Sequence, residues 1–161
     1  MHTIEGDGRA AGYRFALVVS KYHEFVTDRL QAGALAALSA AGAASEGITV
    51  VRVPGAFEIP LAARHLAKSG HYDAIICLGC LIQGETPHMG FIASAVAEGL
   101  AAASGATRVP MAFGILTTNS VEEAMARAEG GTNKGHEAAV AAIEMASVVA
   151  QLKRPPSATP S

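Results

Sequence analysis

The segment with the clearest capacity for chemistry is Gly84-Glu85-Thr86-Pro87-His88, which lies between an apolar run and an Ala-rich helical segment. Thr86 is a suitable N-cap residue, and Pro87 suits the first helical position, where its missing N–H is not needed. The free N–H groups and the positive dipole end of a helix N-terminus attract phosphate. His88 follows at once, and an imidazole can transfer protons near neutral pH. The spacing therefore predicts an anion-binding turn beside a general base.

Two cations and a carboxylate nearer the C-terminus form a second candidate group. Arg127 lies near the end of a predicted helix, where a positive charge also simply complements the helix dipole. A guanidinium can instead bind phosphate through two parallel hydrogen bonds. Lys134 opens the next predicted helix, where a cation opposes the dipole, and Glu137 on that helix could orient the arginine. The pattern leaves both interpretations of this group open.

The stretch 54–60 (Pro-Gly-Ala-Phe-Glu-Ile-Pro) is a third candidate. Its glycine and alanine let backbone groups approach a flat polar ring, and Glu58 could accept hydrogen bonds from hydroxyls. The plainer interpretation of Glu58 is an acid that complements a helix N-terminus. Tyr22 and Phe113 lie near two other predicted strand ends, where each could belong to the core or stack on a planar ligand.

The hydrophobic pattern predicts the scaffold that positions these residues. Four runs are apolar on both faces, as in a parallel sheet covered on both sides: 13–20, 48–54, 73–79 and 108–116. The predicted helices span 24–41, 57–69, 87–104, a segment from Ser120 with a capping box, and 133–151. Gly42, Gly70 and Gly105 are predicted to end the first three helices. This alternation predicts an α/β fold, a flavodoxin-like three-layer α/β/α sandwich whose ligands bind beyond the C-terminal strand ends.

Composition narrows the class of protein. The 161 residues fit one domain, and 50% are hydrophobic while only 16% are charged, which excludes disorder and hints at oligomer interfaces. A net charge of −2 without a basic patch argues against nucleic acid as a partner. With no apolar run of membrane-spanning length and no signal-peptide core, a cytoplasmic protein without a membrane partner is predicted. The domain is expected over 13–152, between a flexible segment 1–12 and a disordered tail 153–161.

The two cysteines form the lone C-x-x-C motif Cys77-Leu78-Gly79-Cys80. A zinc site would need a second pair of ligands at similar spacing. A redox pair normally opens a helix, whereas Cys77 lies inside an apolar, strand-like run. Both residues are therefore expected to be buried core cysteines, and no metal site is predicted.

Four motifs in order carry a resemblance to a known family. They are Val-Pro-Gly-Ala-Phe-Glu-Ile-Pro (53–60), Gly-Glu-Thr-Pro-His (84–88), Phe-Gly-Ile-Leu-Thr-Thr (113–118) and Asn-Lys-Gly-His-Glu-Ala-Ala (133–139). Over about residues 13–149 the chain resembles the lumazine synthase family of riboflavin biosynthesis. The resemblance implies condensation of 5-amino-6-(D-ribitylamino)uracil with 3,4-dihydroxy-2-butanone 4-phosphate to 6,7-dimethyl-8-ribityllumazine, phosphate and water. It implies no metal or organic cofactor.

The resemblance also implies a role for each candidate residue. His88 matches the proton-transfer histidine of the family. The phosphate site is matched by Glu85, Thr86 and Arg127, with Glu137 as the acidic partner of the arginine and Lys134 as a nearby cation. The remaining substrate contacts are matched by Tyr22, Ala56, Phe57, Glu58, Cys80, Leu81 and Ile82, with Tyr22 stacking on the pyrimidine. Phe113, Arg127 and Lys134 would reach a neighbouring subunit's site, which implies a homo-oligomer such as a pentamer with shared active sites.

Departures from the family pattern motivate an alternative. Met89 and Gly90 follow the histidine where the family commonly has an aromatic and then an acidic residue. A paralogue that binds flavin or lumazine with weak or no catalysis is therefore the alternative hypothesis. A flavodoxin-like redox carrier or phosphoacceptor shares the predicted architecture, but a phosphoacceptor needs clustered acids, and Lys21-Tyr22-His23 supplies none.

Overall fold

A computed structural model describes residues 1–84 and 88–154, so the predicted tail lies outside the described residues from position 155 onward. The strands are β1 (Phe15–Ser20), β2 (Ile48–Val53), β3 (Ala74–Ile82) and β4 (Met111–Thr118). The helices are α1 (Glu24–Ala40), α2 (Ile59–Lys68), α3 (Met89–Thr107), α4 (Val121–Ala126) and α5 (Lys134–Lys153). All strand pairs are parallel, in the order β2-β1-β3-β4. The predicted α/β fold with a four-stranded parallel sheet is confirmed.

The core lies on both faces of this sheet because side chains alternate along each strand. Phe15, Leu17 and Val19 of β1 belong to a cluster that includes residues of α1 and α5. Ala16 and Val18 belong to a second cluster with residues of α2 and α3. Helices therefore cover both faces, which gives the three layers that the sequence predicts.

The two edge strands differ from the prediction of burial on both faces. β1 and β3 are buried at every position. In β2 and β4, however, Val50 and Phe113 are 37% and 41% exposed. An edge strand has a neighbour on one side only, so its apolar side chains are covered incompletely by one chain. The apolar pattern of both edges thus leaves uncovered surface for a partner.

Several predicted helix ends are confirmed. Gly42 and Gly70 follow α1 and α2 with positive φ of 94° and 77°, where glycine avoids the steric cost of a side chain. The predicted capping box at α4 is present in a variant form, in which the carboxylate bonds to the residue before the N-cap. The hydroxyl of Ser120 accepts a hydrogen bond from the N–H of Glu123 (3.1 Å), and the Glu123 carboxylate accepts one from the N–H of Asn119 (3.0 Å).

The predicted end of α3 at Gly105 is wrong. The helix continues to Thr107, and Arg108 makes the left-handed turn with φ of 61°. The Thr107 hydroxyl donates a hydrogen bond to the carbonyl of Ala103 (2.7 Å), and the N–H of Arg108 donates to the carbonyl of Ser104 (2.8 Å). These bonds hold the last turn beyond the glycine, and a sequence pattern does not reveal them.

α3 also departs from the expectation that no segment could cross a membrane. By length and composition alone, it is the one helix of the described residues that meets that criterion. One such helix is weak evidence, and Val96, Leu100 and Ala103 of α3 pack into the core of this domain. Most of the helix is exposed in the single chain, so it adds to the uncovered apolar surface.

The N-terminal segment 1–12 lies against α5. The N–H of Asp7 donates to the hydroxyl of Ser147 (2.9 Å), and the side-chain amide of Gln151 donates to the carbonyl of Glu5 (2.7 Å). These contacts place the segment and do not measure its motion, so its predicted flexibility stays a prediction.

The left-handed residue after α3 yields a stability test. Arg108 is exposed, and a non-glycine residue at positive φ is destabilised by about 1 kcal/mol. We expect Arg108→Gly to stabilise the protein by about 0.5–1 kcal/mol. The matched control is Arg64→Gly, which is exposed in the middle of α2 and should destabilise by about 1 kcal/mol. Thermal unfolding at fixed subunit concentration measures both, and a lower midpoint for Arg108→Gly would contradict the expectation.

Candidate active site

Backbone pairing beyond the ends of β1 and β2 brings Tyr22 beside the 54–60 stretch. The N–H of Lys21 donates to the carbonyl of Val53 (2.8 Å), and the N–H of Tyr22 donates to the carbonyl of Pro54 (3.1 Å). The tyrosine side chain is 57% exposed, and its ring centroid lies 4.4 Å from that of His23. An aromatic surface is thus available at this edge of the sheet, as a stacking role requires.

Residues Ala56–Glu58 form a 3-10 turn that leads into α2. The N–H of Glu58 donates to the carbonyl of Gly55 (3.3 Å), and a Cβ added to Gly55 would lie 3.4 Å from a carboxylate oxygen of Glu58. The carboxylate therefore lies over the glycine, and in the described part of the chain it makes no capping hydrogen bond to α2. Phe57 is exposed, whereas Ala56 is buried. This turn offers an acceptor and an apolar ring to a ligand.

The last residues of β3 can meet a ligand through their backbone but not through their side chains. The side chains of Cys80, Leu81 and Ile82 are all buried in the core. A ligand above the strand end would therefore meet their backbone. The predicted phosphate contacts Glu85 and Thr86, and the N1 proline Pro87, lie outside the described residues.

His88 is the N-cap residue of α3, which begins at Met89. Its carbonyl accepts the N–H of Ile92 (3.0 Å), which anchors it to the first helical turn. Its ring centroid is 6.3 Å from that of Phe91, whose side chain is 77% exposed. The imidazole is exposed as well, so a substrate can reach it.

Phe113, Arg127, Lys134 and Glu137 come together around a cavity of about 520 Å³ beside β4. Thr132 also lines this cavity, and sequence reasoning had missed it. Eight other predicted site residues, all of them described, are not part of its lining: Tyr22, Ala56, Phe57, Glu58, Cys80, Leu81, Ile82 and His88.

The ion pairs in this cavity differ from the expected one. The Lys134 ammonium lies 3.0 Å from the Glu137 carboxylate, and the Arg127 guanidinium lies 3.2 Å from that of Glu123. In the single chain each cation instead pairs with an acid three or four residues away on its own helical segment, and the pairing of Glu137 with Arg127 stays a prediction for the assembled enzyme. The i, i+4 spacing of Glu123 and Arg127 was the available signal for the partner that Arg127 has in the single chain.

The strand order separates the two groups of candidate residues. The turn after β2 and the side chains on β4 belong to opposite edges of the sheet, about 14 Å apart at about 4.8 Å per strand. Phe113 lies opposite Cys77 in the pairing of β3 with β4, whereas Leu116 lies opposite Cys80. Phe113 is therefore three residues farther from the C-terminal ends of the strands than Leu116. We call Tyr22, Glu58 and His88, which do not line the cavity, the first group, and Phe113, Arg127 and Lys134, which do, the second group.

A family model for 6,7-dimethyl-8-ribityllumazine synthase matches residues 12–150. The chain belongs to this family. The 6,7-dimethyl-8-ribityllumazine synthase of Desulfatibacillum aliphaticivorans is 49% identical over 153 residues, which cover 93% of this chain and 97% of that protein. The resemblance based on the four motifs is confirmed.

Membership of the lumazine synthase family identifies the chain as a transferase that performs a condensation in riboflavin biosynthesis. The family implies small-molecule substrates and an oligomeric enzyme. Both agree with the exposed aromatic rings at the sheet edge and with the uncovered apolar surface of β4 and α3.

Both cysteines are buried, as predicted, and in the described residues neither forms a disulfide. Three residues apart on β3, they lie on opposite faces of the sheet, Cys77 in the α2–α3 cluster and Cys80 in the α1–α5 cluster. They therefore cannot bond to each other or share a metal ion. Burial raises the pKa of the Cys77 thiol from 9.0 to about 12.

This pKa gives a reactivity test. The folded protein keeps the Cys77 proton where the unfolded chain releases it, so the stabilising contribution is complete below pH 9 and is lost as the pH rises from 9 toward 12. In a Cys80→Ala variant at pH 8, we expect iodoacetamide to alkylate Cys77 more than about 100-fold more slowly in the folded protein than in guanidinium. Mass spectrometry of the labelled peptide measures the two rates. Similar rates would show that the thiol is accessible.

Proposed function

We propose that this chain condenses 5-amino-6-(D-ribitylamino)uracil with 3,4-dihydroxy-2-butanone 4-phosphate to 6,7-dimethyl-8-ribityllumazine, with loss of phosphate and water. The observation that carries the proposal is the set of side chains that the two groups supply, in a chain that belongs to this family. One group supplies aromatic rings, a carboxylate and an imidazole, and the other supplies two cations around a cavity of about 520 Å³.

The first group suits the ribitylaminouracil. The exposed ring of Tyr22 offers a face to the pyrimidine, and the backbone at the end of β3 offers hydrogen-bonding groups to its edge. The Glu58 carboxylate over Gly55 can accept hydrogen bonds from ribityl hydroxyls.

The second group suits the phosphate ester. Arg127 and Lys134 line one cavity, and a carboxylate pairs with each of them. These pairs are largely exposed and therefore weak, so a phosphate dianion can displace them and bind the guanidinium through two oxygens. The same cations would stabilise the phosphate as it leaves and its charge grows.

His88 would move the protons. The amino group of the uracil attacks the ketone and loses water to give an imine, and removal of a proton from the adjacent carbon then expels phosphate from the next one. Ring closure and a second loss of water give the lumazine. A positioned imidazole contributes about 10²–10⁴-fold to such proton transfers. Much of the remaining acceleration would come from holding both substrates together.

The complete site would form between neighbouring subunits. The supporting observation is that the two groups occupy separate parts of one chain, with β4 as an open edge beside the second. Contact between one group of a subunit and the other group of the next is head-to-tail, and such contacts form a ring when the rotation between subunits closes. We propose a pentamer. A cytoplasmic location fits two core cysteines that form no disulfide in the described residues.

One observation favours the second candidate, a flavin- or lumazine-binding paralogue with little catalysis. The first turn of α3 carries no acidic residue, whereas the family commonly has one shortly after the histidine. Turnover distinguishes the two. The synthase would release lumazine and phosphate in equal amounts, whereas the paralogue would release neither and still bind riboflavin.

The role of the histidine is tested by His88→Gln. Because this change removes the proton carrier and keeps a polar side chain, we expect kcat to fall by about 10²–10³-fold with little change in either KM. Lumazine absorbance and released phosphate are followed together. His65→Gln, on the exposed face of α2, is the matched control and should leave turnover unchanged. An unaltered kcat in His88→Gln would remove the assigned role.

Shared sites are tested by complementation between two inactive variants. His88→Ala subunits keep Arg127, and Arg127→Ala subunits keep His88. When the two are refolded together at equal concentration, about a quarter of the interfaces should combine both native residues and regain activity. The same proteins mixed after separate assembly are the control. Hybrids as inactive as their parents would show that each site lies within one subunit.

A further inference from the structure

The loop between α4 and α5, residues 127–134, has at its two ends the two cations that we propose bind the phosphate. Arg127 follows the last residue of α4, and Lys134 is the first residue of α5. The N–H of Lys134 donates to the carbonyl of Arg127 (2.8 Å), which closes the loop between them. The Thr132 hydroxyl donates to the carbonyl of Ala126 (2.7 Å) and adds a second closure. The backbone positions of the two cations are therefore fixed relative to each other.

The one buried polar side chain of this loop is Asn133, which is 9% exposed. Its Nδ2 donates to the carbonyls of Arg29 (3.0 Å) and Ala128 (2.8 Å). Its Oδ1 accepts the N–H of His136 (3.0 Å) and so caps α5. Capping needs only the oxygen, whereas the two donated bonds join the loop to itself and to α1.

Glycines make room for this side chain where α5 crosses α1. A Cβ added to Gly33 would lie 2.3–2.6 Å from the side-chain atoms of Asn133. A Cβ added to Gly135 would collide with the carbonyl of Leu30. The start of α5 is thus pressed against the backbone of α1, with the amide of Asn133 held in the contact.

A second link between the loop and α1 is weaker. The Arg29 guanidinium pairs with the Glu129 carboxylate, but both side chains are about half exposed. Water and salt screen such a surface pair, so it contributes little. The bonds of Asn133 dominate because they are buried or part-buried, where losing a hydrogen-bond donor is costly.

We propose that Asn133 is a positioning residue for phosphate binding. It does not line the cavity itself. By holding the loop to α1, it sets the distance and direction at which Arg127 and Lys134 meet the anion. The identity of the phosphate ester rests on the proposed function, whereas the positioning of the two cations does not.

Asn133→Ser tests the proposal, because serine still caps α5 and adds no charge but lacks the two donors. We expect KM for the butanone phosphate and the inhibition constant of inorganic phosphate to rise about tenfold or more. The KM of the ribitylaminouracil should change by less than about twofold, since Tyr22 and Glu58 lie on the other part of the surface, whereas kcat should fall because the same cations stabilise the departing phosphate. Ile143→Val is the control, because it weakens the core around α5 and leaves the loop intact.

Gly33→Ala is a second, independent variant that keeps Asn133 but pushes on its side chain. It should raise the same two constants, and it decides the question if Asn133→Ser fails to assemble.

Calorimetric titration of the oligomers with inorganic phosphate reports on positioning even if the wild-type protein turns over neither substrate, so a failure of the proposed function is recognised separately. Unchanged phosphate affinity in either assembled variant, or an equal loss of all constants, would overturn the proposal. Absence of phosphate binding to the wild-type oligomer would overturn it as well.

Discussion

Parallel pairing of the strands is the constraint on which the other features depend. It brings the C-terminal ends of all four strands to one edge and requires long crossovers, which place helices on both faces. It also decides which strands are central. β1 and β3 are covered completely, whereas β2 and β4 keep an open side. The candidate residues, the buried thiols and the uncovered apolar surface all follow from this arrangement.

Local patterns predicted the parts that local chemistry controls. Gly42, Gly70 and the capping box at Ser120 act within one turn of chain, and the structure has them where the sequence placed them. The helix end predicted at Gly105 was wrong because the Thr107 hydroxyl donates a hydrogen bond to the carbonyl of Ala103 and the helix continues past the glycine. The single chain does not show the pairing of Glu137 with Arg127, because each cation has a closer partner on its own helical segment.

Local patterns could not predict contacts between residues that are distant in the sequence. The approach of Gly33 to Asn133 joins residues a hundred positions apart, and neither motif nor periodicity marks it. The division of the site residues into two groups depends on the strand order, which alternation of strands and helices does not fix. The motif match nevertheless identified residues of both groups, because similarity to a family carries information that composition and spacing lack.

The separation of the two groups on one chain also sets how many sites an assembly can hold. In an open row of subunits that meet head-to-tail, each contact completes one site, and both terminal subunits keep an unused half. A closed ring has as many contacts as subunits, so every half is used. Ring closure therefore adds one site and no further protein, and on dilution the loss of a single contact would open the ring at the expense of one site.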